Sequence, residues 1–210
     1  MEKHLDLEIA RVKSALLEKP GRQMTMMMDE IGGGGPLPQA AVCLLLRPDS
    51  MNAQLVSLFI KRRVRYGDPW SGHVALPGGR FVESDRHLLS TVIREVLEET
   101  GIDLRTCSML GTLDELLPGN RAVKVTPYVA LAPEDVKVAT SDGEVSGYAW
   151  IPISFFADKR NSTPFTVEDP SGGGQRKIMA SFPFLGDYVV WGMTLRVIED
   201  FIKKIGYQQV

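Results

Sequence analysis

A pair of glycines followed by an amphipathic segment restricts the fold of this chain more than any other feature. Residues 78–101 read GGRFVESDRHLLSTVIREVLEETG. At about 100° per residue, the apolar positions of a helix from about residue 86 to residue 100 share one broad face that packs against a core. Ser84 or Asp85 is placed to cap its start, and Gly101 to end it in the left-handed conformation. The apolar positions are Leu88, Leu89, Val92, Ile93, Val96 and Leu97.

Glutamates occupy the last turns of this helix, where carboxylates are unfavourable. Glu95, Glu98 and Glu99 fall within an arc of roughly 100° at the edge of the apolar face. Each one costs roughly 0.3–1 kcal/mol at the negative end of the helix dipole. A surface helix with an Arg94–Glu98 ion pair is the alternative, but it does not account for the clustering. A divalent cation relieves the repulsion, and oxygen ligands suit Mg²⁺ (or Mn²⁺). The acids therefore predict a metal site.

The rest of the chain alternates between strand-like and helix-like patterns. The runs QAAVCLLLRP from Gln39 and QLVSLFIKRR from Gln54 are typical of strands. Further strands are predicted at 105–112, 122–132 and 146–151, and amphipathic helices at 3–18 and 187–205. Strands and helices in this order predict an α/β (α+β) fold with helices packed against the faces of a sheet.

The first 35 residues differ in composition from the rest of the chain. After the helix at 3–18, with Leu5, Ile9, Val12, Leu16 and Leu17 as its apolar face, the Gly- and Pro-rich stretch KPGRQMTMMMDEIGGGGPLP predicts a linker. Its methionines at 24 and 26–28 could contact a partner. Alternatively, they belong to a segment that is disordered or packed on the protein, and both interpretations stay open. We therefore predict two parts, an N-terminal helix with linker at 1–35 and a domain at 36–210.

Composition limits the function classes. The chain has 24 basic and 26 acidic residues, so its charge of −2 favours neither nucleic-acid nor membrane binding. The longest apolar run, AAVCLLL, is far shorter than the roughly 20 residues of a membrane span. The charged N-terminus is unlike a signal peptide, so the cytoplasm is the expected compartment. Cys43 and Cys107 form no motif and are expected to be buried thiols, and a homodimer stays open.

The glycine pair and the acidic helix together resemble the Nudix box. Gly78 and Gly79 are followed by REVLEETGI at 94–102, which matches the REuxEExGu half at each defined position. Arg94 follows Gly79 by 15 positions, one more than usual in that family. The resemblance covers about residues 38–205. It implies a Nudix-type α/β/α sandwich with a mixed central sheet, and a hydrolase of nucleoside diphosphates linked to another group.

The segment before the glycines resembles one branch of that family, the coenzyme A diphosphatase-like proteins. Residues 58–79 read LFIKRRVRYGDPWSGHVALPGG, and that branch carries the same one-residue extension. YGDPW stands where the branch has Leu-Arg-x-His. The resemblance implies cleavage of coenzyme A or its thioesters. ADP-ribose, a dinucleotide or a nucleoside triphosphate are alternative substrates, and a non-catalytic nucleotide-binding module is a further alternative. The matching positions are Arg63, Gly72, Val74, Ala75 and 77–79.

The resemblance also implies roles for particular residues. Glu95, Glu98 and Glu99 are the implied metal ligands, together with a backbone carbonyl near Gly79. Glu98 also belongs to the implied catalytic groups, with Arg94, which orients the glutamates. Glu144 lies in the loop SDGEVSGYAW and is a candidate base or extra ligand, since many Nudix enzymes draw one from such a loop. A surface or capping role is the alternative for Glu144.

Several further side chains are candidates for binding a nucleotide-derived small molecule. Phosphates can be held by Lys61, Arg62, Arg63 and Arg65, and Arg binds them in a forked geometry. A solvated strand end is the alternative for these residues, of which Arg63 also matches the branch pattern. Arg80, directly after the glycine pair, is a further substrate-binding candidate. Trp70, beside Pro69, can stack on an adenine or anchor a turn. His73 abuts the glycine loop, where a structural hydrogen bond is the expected role.

Overall fold

The computed structural model describes residues 2–18, 37–66, 70–117, 123–140, 143–168, 175–184 and 188–207. The predicted linker with its methionines, and Pro69, lie outside these residues. The helices are α1 (Glu2–Glu18), α2 (Leu88–Thr100), α3 (Ile153–Ala157) and α4 (Gly192–Lys204). The strands are β1 (Gln39–Asp49), β2 (Gln54–Arg62), β3 (Val74–Ala75), β4 (Gly78–Arg80), β5 (Ser108–Thr112), β6 (Lys124–Leu131), β7 (Val145–Pro152), β8 (Thr163–Glu168), β9 (Gln175–Phe184) and β10 (Tyr188–Val190).

A mixed sheet forms the centre of the fold. Within the described residues it has seven strands, with the order β3-β2-β1-β6-β5, while β4 also pairs with β1 and β7 with β2. The pairing of β1 with β6 is parallel, and its pairings with β2 and β4 are antiparallel. A smaller antiparallel sheet has the order β10-β9-β8. The predicted α/β class with a mixed sheet is confirmed.

Strand β1 is apolar on both faces because the sheet is covered on both sides. Alternate residues of a strand point to opposite faces. Leu44 and Leu46 lie in one core cluster, whereas Cys43 and Leu45 lie in the other. The first cluster also contains residues of α1, α3 and α4, and the second contains Val92 and Val96 of α2. A near-continuous apolar run is thus what a strand between two helical layers requires.

Helix α1 packs on the same core as the sheet. Leu5, Val12 and Leu16 are buried there, and the Leu55 amide donates to Glu8 Oε2 at 3.2 Å. Leu17, predicted on the apolar face, is exposed instead. The predicted boundary between two parts of the chain at residue 35 stays a prediction. Helix α1, which precedes it, contributes side chains to the core that the sheet and the other helices form.

The chain enters α2 through a turn that the sequence did not predict. Residues 83–85 form a short 3₁₀ helix, and α2 begins at Leu88 rather than near residue 86. The helix cap is His87, whose Nδ1 accepts from the Ser90 amide at 3.1 Å, so the expected cap at Ser84 or Asp85 is wrong. Gly101 ends the helix at φ 70, as expected.

A tight turn at Arg86 joins the 3₁₀ helix to the cap. Arg86 has φ 58 and ψ −43, and the His87 amide donates to the Asp85 carbonyl oxygen at 2.5 Å. This is the geometry of a γ-turn, which is uncommon and strained for a residue with a side chain. Arg86 lies between Gly79 and Arg94, the stretch that is one residue longer than usual in the family that the sequence resembles. This longer stretch therefore contains one residue with a strained backbone.

The predicted helix at 187–205 is wrong in its first part. Tyr188–Val190 form strand β10, because these residues pair with β9, and α4 starts only at Gly192. Gly192 has φ 60, which interrupts the helical pattern there. The predicted apolar face is confirmed, since Leu195, Ile198, Phe201 and Ile202 are all buried.

Two smaller expectations can be compared with the structure. Cys43 is a buried free thiol, as predicted, whereas Cys107 is only partly buried. In the part of the chain that the structure describes, every helix is too short or too polar to cross a bilayer.

Candidate active site

A cavity of about 440 Å³ lies between the central sheet, α2 and the glycine pair of β4, Gly78 and Gly79, which we call the glycine turn. Strands β1, β2 and β6 form its floor, and the start of α4 closes another side. Charged and apolar side chains both line it. The charged lining residues are Arg62, Arg80, Glu95, Glu99 and Glu144, and the apolar ones include Val42, Ile60, Leu76, Val123, Val125 and Met193.

The glycine turn must lack side chains because it lies directly against both β1 and α2. Gly78 has φ 146, and a Cβ there would overlap the Ala41 carbonyl oxygen and the Val42 Cα. A Cβ on Gly79 would instead overlap the carboxylate of Glu95. The first glycine is therefore required by the backbone packing, and the second by the side chain that faces the cavity.

Glu99 is the most deeply buried carboxylate at the cavity. Only 3% of it is exposed, and its Oε2 accepts from the Gly78 amide at 2.8 Å. Burial raises its pKa to about 8, with a further rise from Glu95, although the Gly78 amide and Arg62 oppose the shift. The positive charge of Arg62 thus offsets only part of the effect of burial and of the neighbouring carboxylates. Cation binding beside it would favour the ionised form.

Glu95 lies one turn before Glu99 and lines the same cavity. Its side chain is 15% exposed, and Arg94 Nη1 donates to its Oε1 at 2.8 Å. Burial raises the pKa of Glu95, Arg94 opposes this, and the charges of Glu98 and Glu144 add to the rise. Burial thus raises the pKa of both cavity glutamates, although Arg94 offsets part of the effect at Glu95.

Glu98 points away from the cavity. Its side chain is 58% exposed, and its Oε2 accepts from Arg94 Nη1 at 3.2 Å. Successive helical residues are about 100° apart, so burying Glu99 turns Glu98 toward solvent. The structure brings Glu95 and Glu99 together at the cavity and leaves Glu98 outside its wall, so the role of Glu98 as a metal ligand or catalytic group stays a prediction.

Arg94 is held by an acid that the sequence analysis assigned elsewhere. Its Nε donates to Asp85 Oδ1 at 2.8 Å and its Nη2 to Asp85 Oδ2 at 2.9 Å. Asp85 is 4% exposed and also accepts from the Val82 amide and the Thr91 hydroxyl. The Arg94 guanidinium is the largest cause that holds the pKa of Asp85 well below its usual range. Arg94 therefore joins the turn before α2 to Glu95.

Glu144 lines the cavity from the loop before β7. Its side chain is 53% exposed and pairs with Arg65 at 3.0 Å. The Arg63 amide donates to the Glu144 carbonyl oxygen at 2.7 Å, but the Arg63 side chain is exposed and does not line the cavity. Arg62, the last residue of β2, lines it instead. Sequence patterns alone did not separate these neighbouring arginines.

Aromatic rings form the rim on the side of α4. Trp70 is 45% exposed, and its ring meets that of His73 edge-on at 6.2 Å between centroids. His73 in turn meets Trp191 at 5.0 Å. All three line the cavity, as does Arg80 beside the glycine turn. The sequence analysis missed Trp191, because it lies within the run 187–205 that was predicted to be helical.

The acids at the cavity suit a metal that retains water or phosphate ligands. Among the residues that the structure describes, no three Asp, Glu, His or Cys side chains converge closely enough to enclose a metal ion. Mg²⁺ is commonly held by one or two carboxylates together with substrate phosphates. The buried pair Glu95 and Glu99, beside the Gly79 backbone, fits that pattern.

Comparisons with known proteins concern the family and the fold of the chain. The family model described as NUDIX domain matches residues 36–166. The Nudix hydrolase NudL of Yersinia enterocolitica is 28% identical over 149 residues, which cover 71% of this chain and 74% of that protein. NudL of an Enterobacter species is 27% identical over 168 residues, covering 80% and 83%. A MutT/nudix family protein from Enterococcus faecalis matches with a TM-score of 0.55 at 16% identity, over 94% of this chain and 74% of that one. That structure supports the fold alone.

Alanine at the two glycines should have different consequences. Gly78→Ala should lower the free energy of unfolding by about 1–3 kcal/mol, because the new methyl group meets backbone. Gly79→Ala should leave stability nearly unchanged but lower kcat by about 100-fold, because it displaces the Glu95 carboxylate. Urea unfolding and diphosphate hydrolysis measure the two effects. Equal activity of Gly79→Ala and wild type would contradict a role for the position of Glu95.

The Asp85–Arg94 pair should make stability depend on pH. A carboxyl whose folded pKa is depressed stabilises the fold above its unfolded pKa of about 3.9, and this contribution is lost as the pH falls toward the folded value. Asp85→Asn should therefore lower the free energy of unfolding by about 1–3 kcal/mol at pH 7. The difference in the free energy of unfolding between Asp85→Asn and wild type should become smaller as the pH falls below about 4.

Urea unfolding at several pH values tests this expectation. Asp103→Asn is the control, because Asp103 forms a more exposed pair with Arg105. It should lose much less stability. A difference between Asp85→Asn and wild type that does not change with pH would show that the charge of Asp85 is unimportant.

Proposed function

The chain belongs to the Nudix family, and we propose that it is a Mg²⁺-dependent (or Mn²⁺-dependent) hydrolase that cleaves the diphosphate of a nucleoside diphosphate derivative. The observation that carries the proposal is the placement of Glu95 and Glu99 together at the cavity, against the side-chain-free glycine turn. Carboxylates buried at such energetic cost are favoured when a cation binds beside them.

The residues at the cavity suggest a division of roles. Glu95, Glu99 and the Gly79 carbonyl would hold the metal, which when bound screens the diphosphate charge and lowers the pKa of water. Arg62 and Arg80 line the same end of the cavity and would bind phosphate oxygens. Arg94 orients Glu95 through its 2.8 Å contact. Glu144 would accept the proton of the attacking water.

We propose coenzyme A or its thioesters as the substrate. Support comes from the stretch before the glycine turn, which resembles the coenzyme A diphosphatase-like branch, and from the aromatic and apolar wall around Trp191 and Met193. That wall offers a surface for the non-phosphate part of a long ligand. The proposal includes a cytoplasmic location. ADP-ribose, dinucleotides and nucleoside triphosphates are the competing substrates, and Arg63 and Trp70 stay candidates for binding them.

Glutamine at either cavity glutamate should abolish most activity without unfolding the protein. Glu95→Gln and Glu99→Gln should each lower Mg²⁺-dependent kcat by more than about 100-fold. Without metal they should be as stable as wild type or more stable, because burying a charge costs free energy. Glu199→Gln, an exposed site on α4, is the matched control. Activity like that of wild type in either cavity variant would disprove the metal site.

A substrate panel with Mg²⁺ or Mn²⁺ tests the substrate itself. Coenzyme A should be cleaved with a higher kcat/KM than ADP-ribose, because contacts with the far end of the substrate help to orient its diphosphate. The products should be 4′-phosphopantetheine and adenosine 3′,5′-bisphosphate, identified by mass spectrometry. Faster turnover of ADP-ribose or a nucleoside triphosphate would overturn coenzyme A as the substrate. The more general proposal, a Nudix hydrolase, would still hold.

A further inference from the structure

Arg65 joins the Glu144 loop to the segment before β3. Its Nη1 donates to Glu144 Oε1 at 3.0 Å, and its Nη2 donates to the Gly143 carbonyl oxygen at 2.5 Å. Its own amide donates to the Ser71 hydroxyl at 2.6 Å. One residue thus contacts both segments that border the cavity rim. In the sequence it is one of four basic residues at 61–65 with the same candidate role.

The position of Glu144 matters because it lines the same cavity as the carboxylates of Glu95 and Glu99. The backbone of Glu144 is already held, since its carbonyl oxygen accepts from the Arg63 amide at 2.7 Å. The direction of the Glu144 carboxylate is not fixed by this backbone contact. Arg65 contacts the carboxylate directly and so restricts its direction.

We propose that Arg65 is a positioning residue, which holds the Glu144 carboxylate at the rim of the cavity at a set distance from Glu95 and Glu99. The inference rests on the proposed function for the role of Glu144 in catalysis. An exposed ion pair alone contributes little stability. The forked guanidinium, however, contacts a carboxylate and an adjacent carbonyl at once, which restricts direction as well as distance.

Lysine should replace arginine only in part. A lysine ammonium is a single point charge without the planar fork, so it can keep the ion pair but not hold both oxygens in the same geometry. A purely structural ion pair would make Arg65→Lys and wild type equally active. A positioning role instead places Arg65→Lys between wild type and Arg65→Ala in kcat.

A double-mutant cycle shows whether Arg65 affects kcat by positioning Glu144 or independently of Glu144. With the best substrate of the panel and Mg²⁺, Arg65→Ala should lower kcat by about 3- to 100-fold while KM changes by less than about twofold. In the Glu144→Gln background the same substitution should have no further effect, because its target is gone. Additive losses, or a loss confined to KM, would overturn the proposal. Arg160→Ala, which removes an exposed pair with Asp158 away from the cavity, is the control.

Hydrogen exchange gives a readout that does not depend on turnover. Amides of residues 143–147 should exchange faster in Arg65→Ala than in wild type or in Arg160→Ala, as measured by mass spectrometry. Unchanged exchange there would overturn the tie between Arg65 and the loop. If the wild-type protein hydrolyses no substrate of the panel, the proposed function fails, whereas faster exchange in Arg65→Ala would still support the tie.

Discussion

The contact between the glycine turn and α2 is the constraint on which the rest of the site depends. The Gly78 amide donates to Glu99, and Gly79 leaves room only for the Glu95 carboxylate. Both glutamates are placed by a helix whose opposite face is anchored in the core through Val92 and Val96. The site is therefore rigid because its ligands project from an element that the core already holds in place.

Charge within the site is balanced unevenly. Arg94 contacts Asp85, Glu95 and Glu98, so the acids on its side have a cation. Glu99 lies on the other side, where burial outweighs the opposing Gly78 amide and Arg62. Glu95 thus faces the cavity while paired with a cation, whereas Glu99 is held by burial and the Gly78 amide. This asymmetry follows from residues a few positions apart on one helix.

The sequence predicted what depends on local periodicity and on spacing. The apolar faces of α2 and α4 follow from patterns within single segments, although Leu97 of α2 is exposed rather than on the buried face. The mixed sheet was expected from the resemblance to the Nudix family and not from a local pattern. The pairing of Asp85 with Arg94, the choice of Arg62 over Arg63 and the contribution of Trp191 depend on contacts between distant segments. No local pattern records those contacts. Strand β10 was missed for the same reason, since its pairing with β9 outweighed a helix-like run of residues.

The turn at Arg86 has a consequence for the substitutions that the loop can accept. Asp85 before it is fixed by Arg94, and His87 after it caps α2, so neither anchor contact uses the exposed side chain between them. The backbone strain at Arg86 is therefore local. Glycine, which adopts a positive φ readily, would relieve that strain without removing either contact.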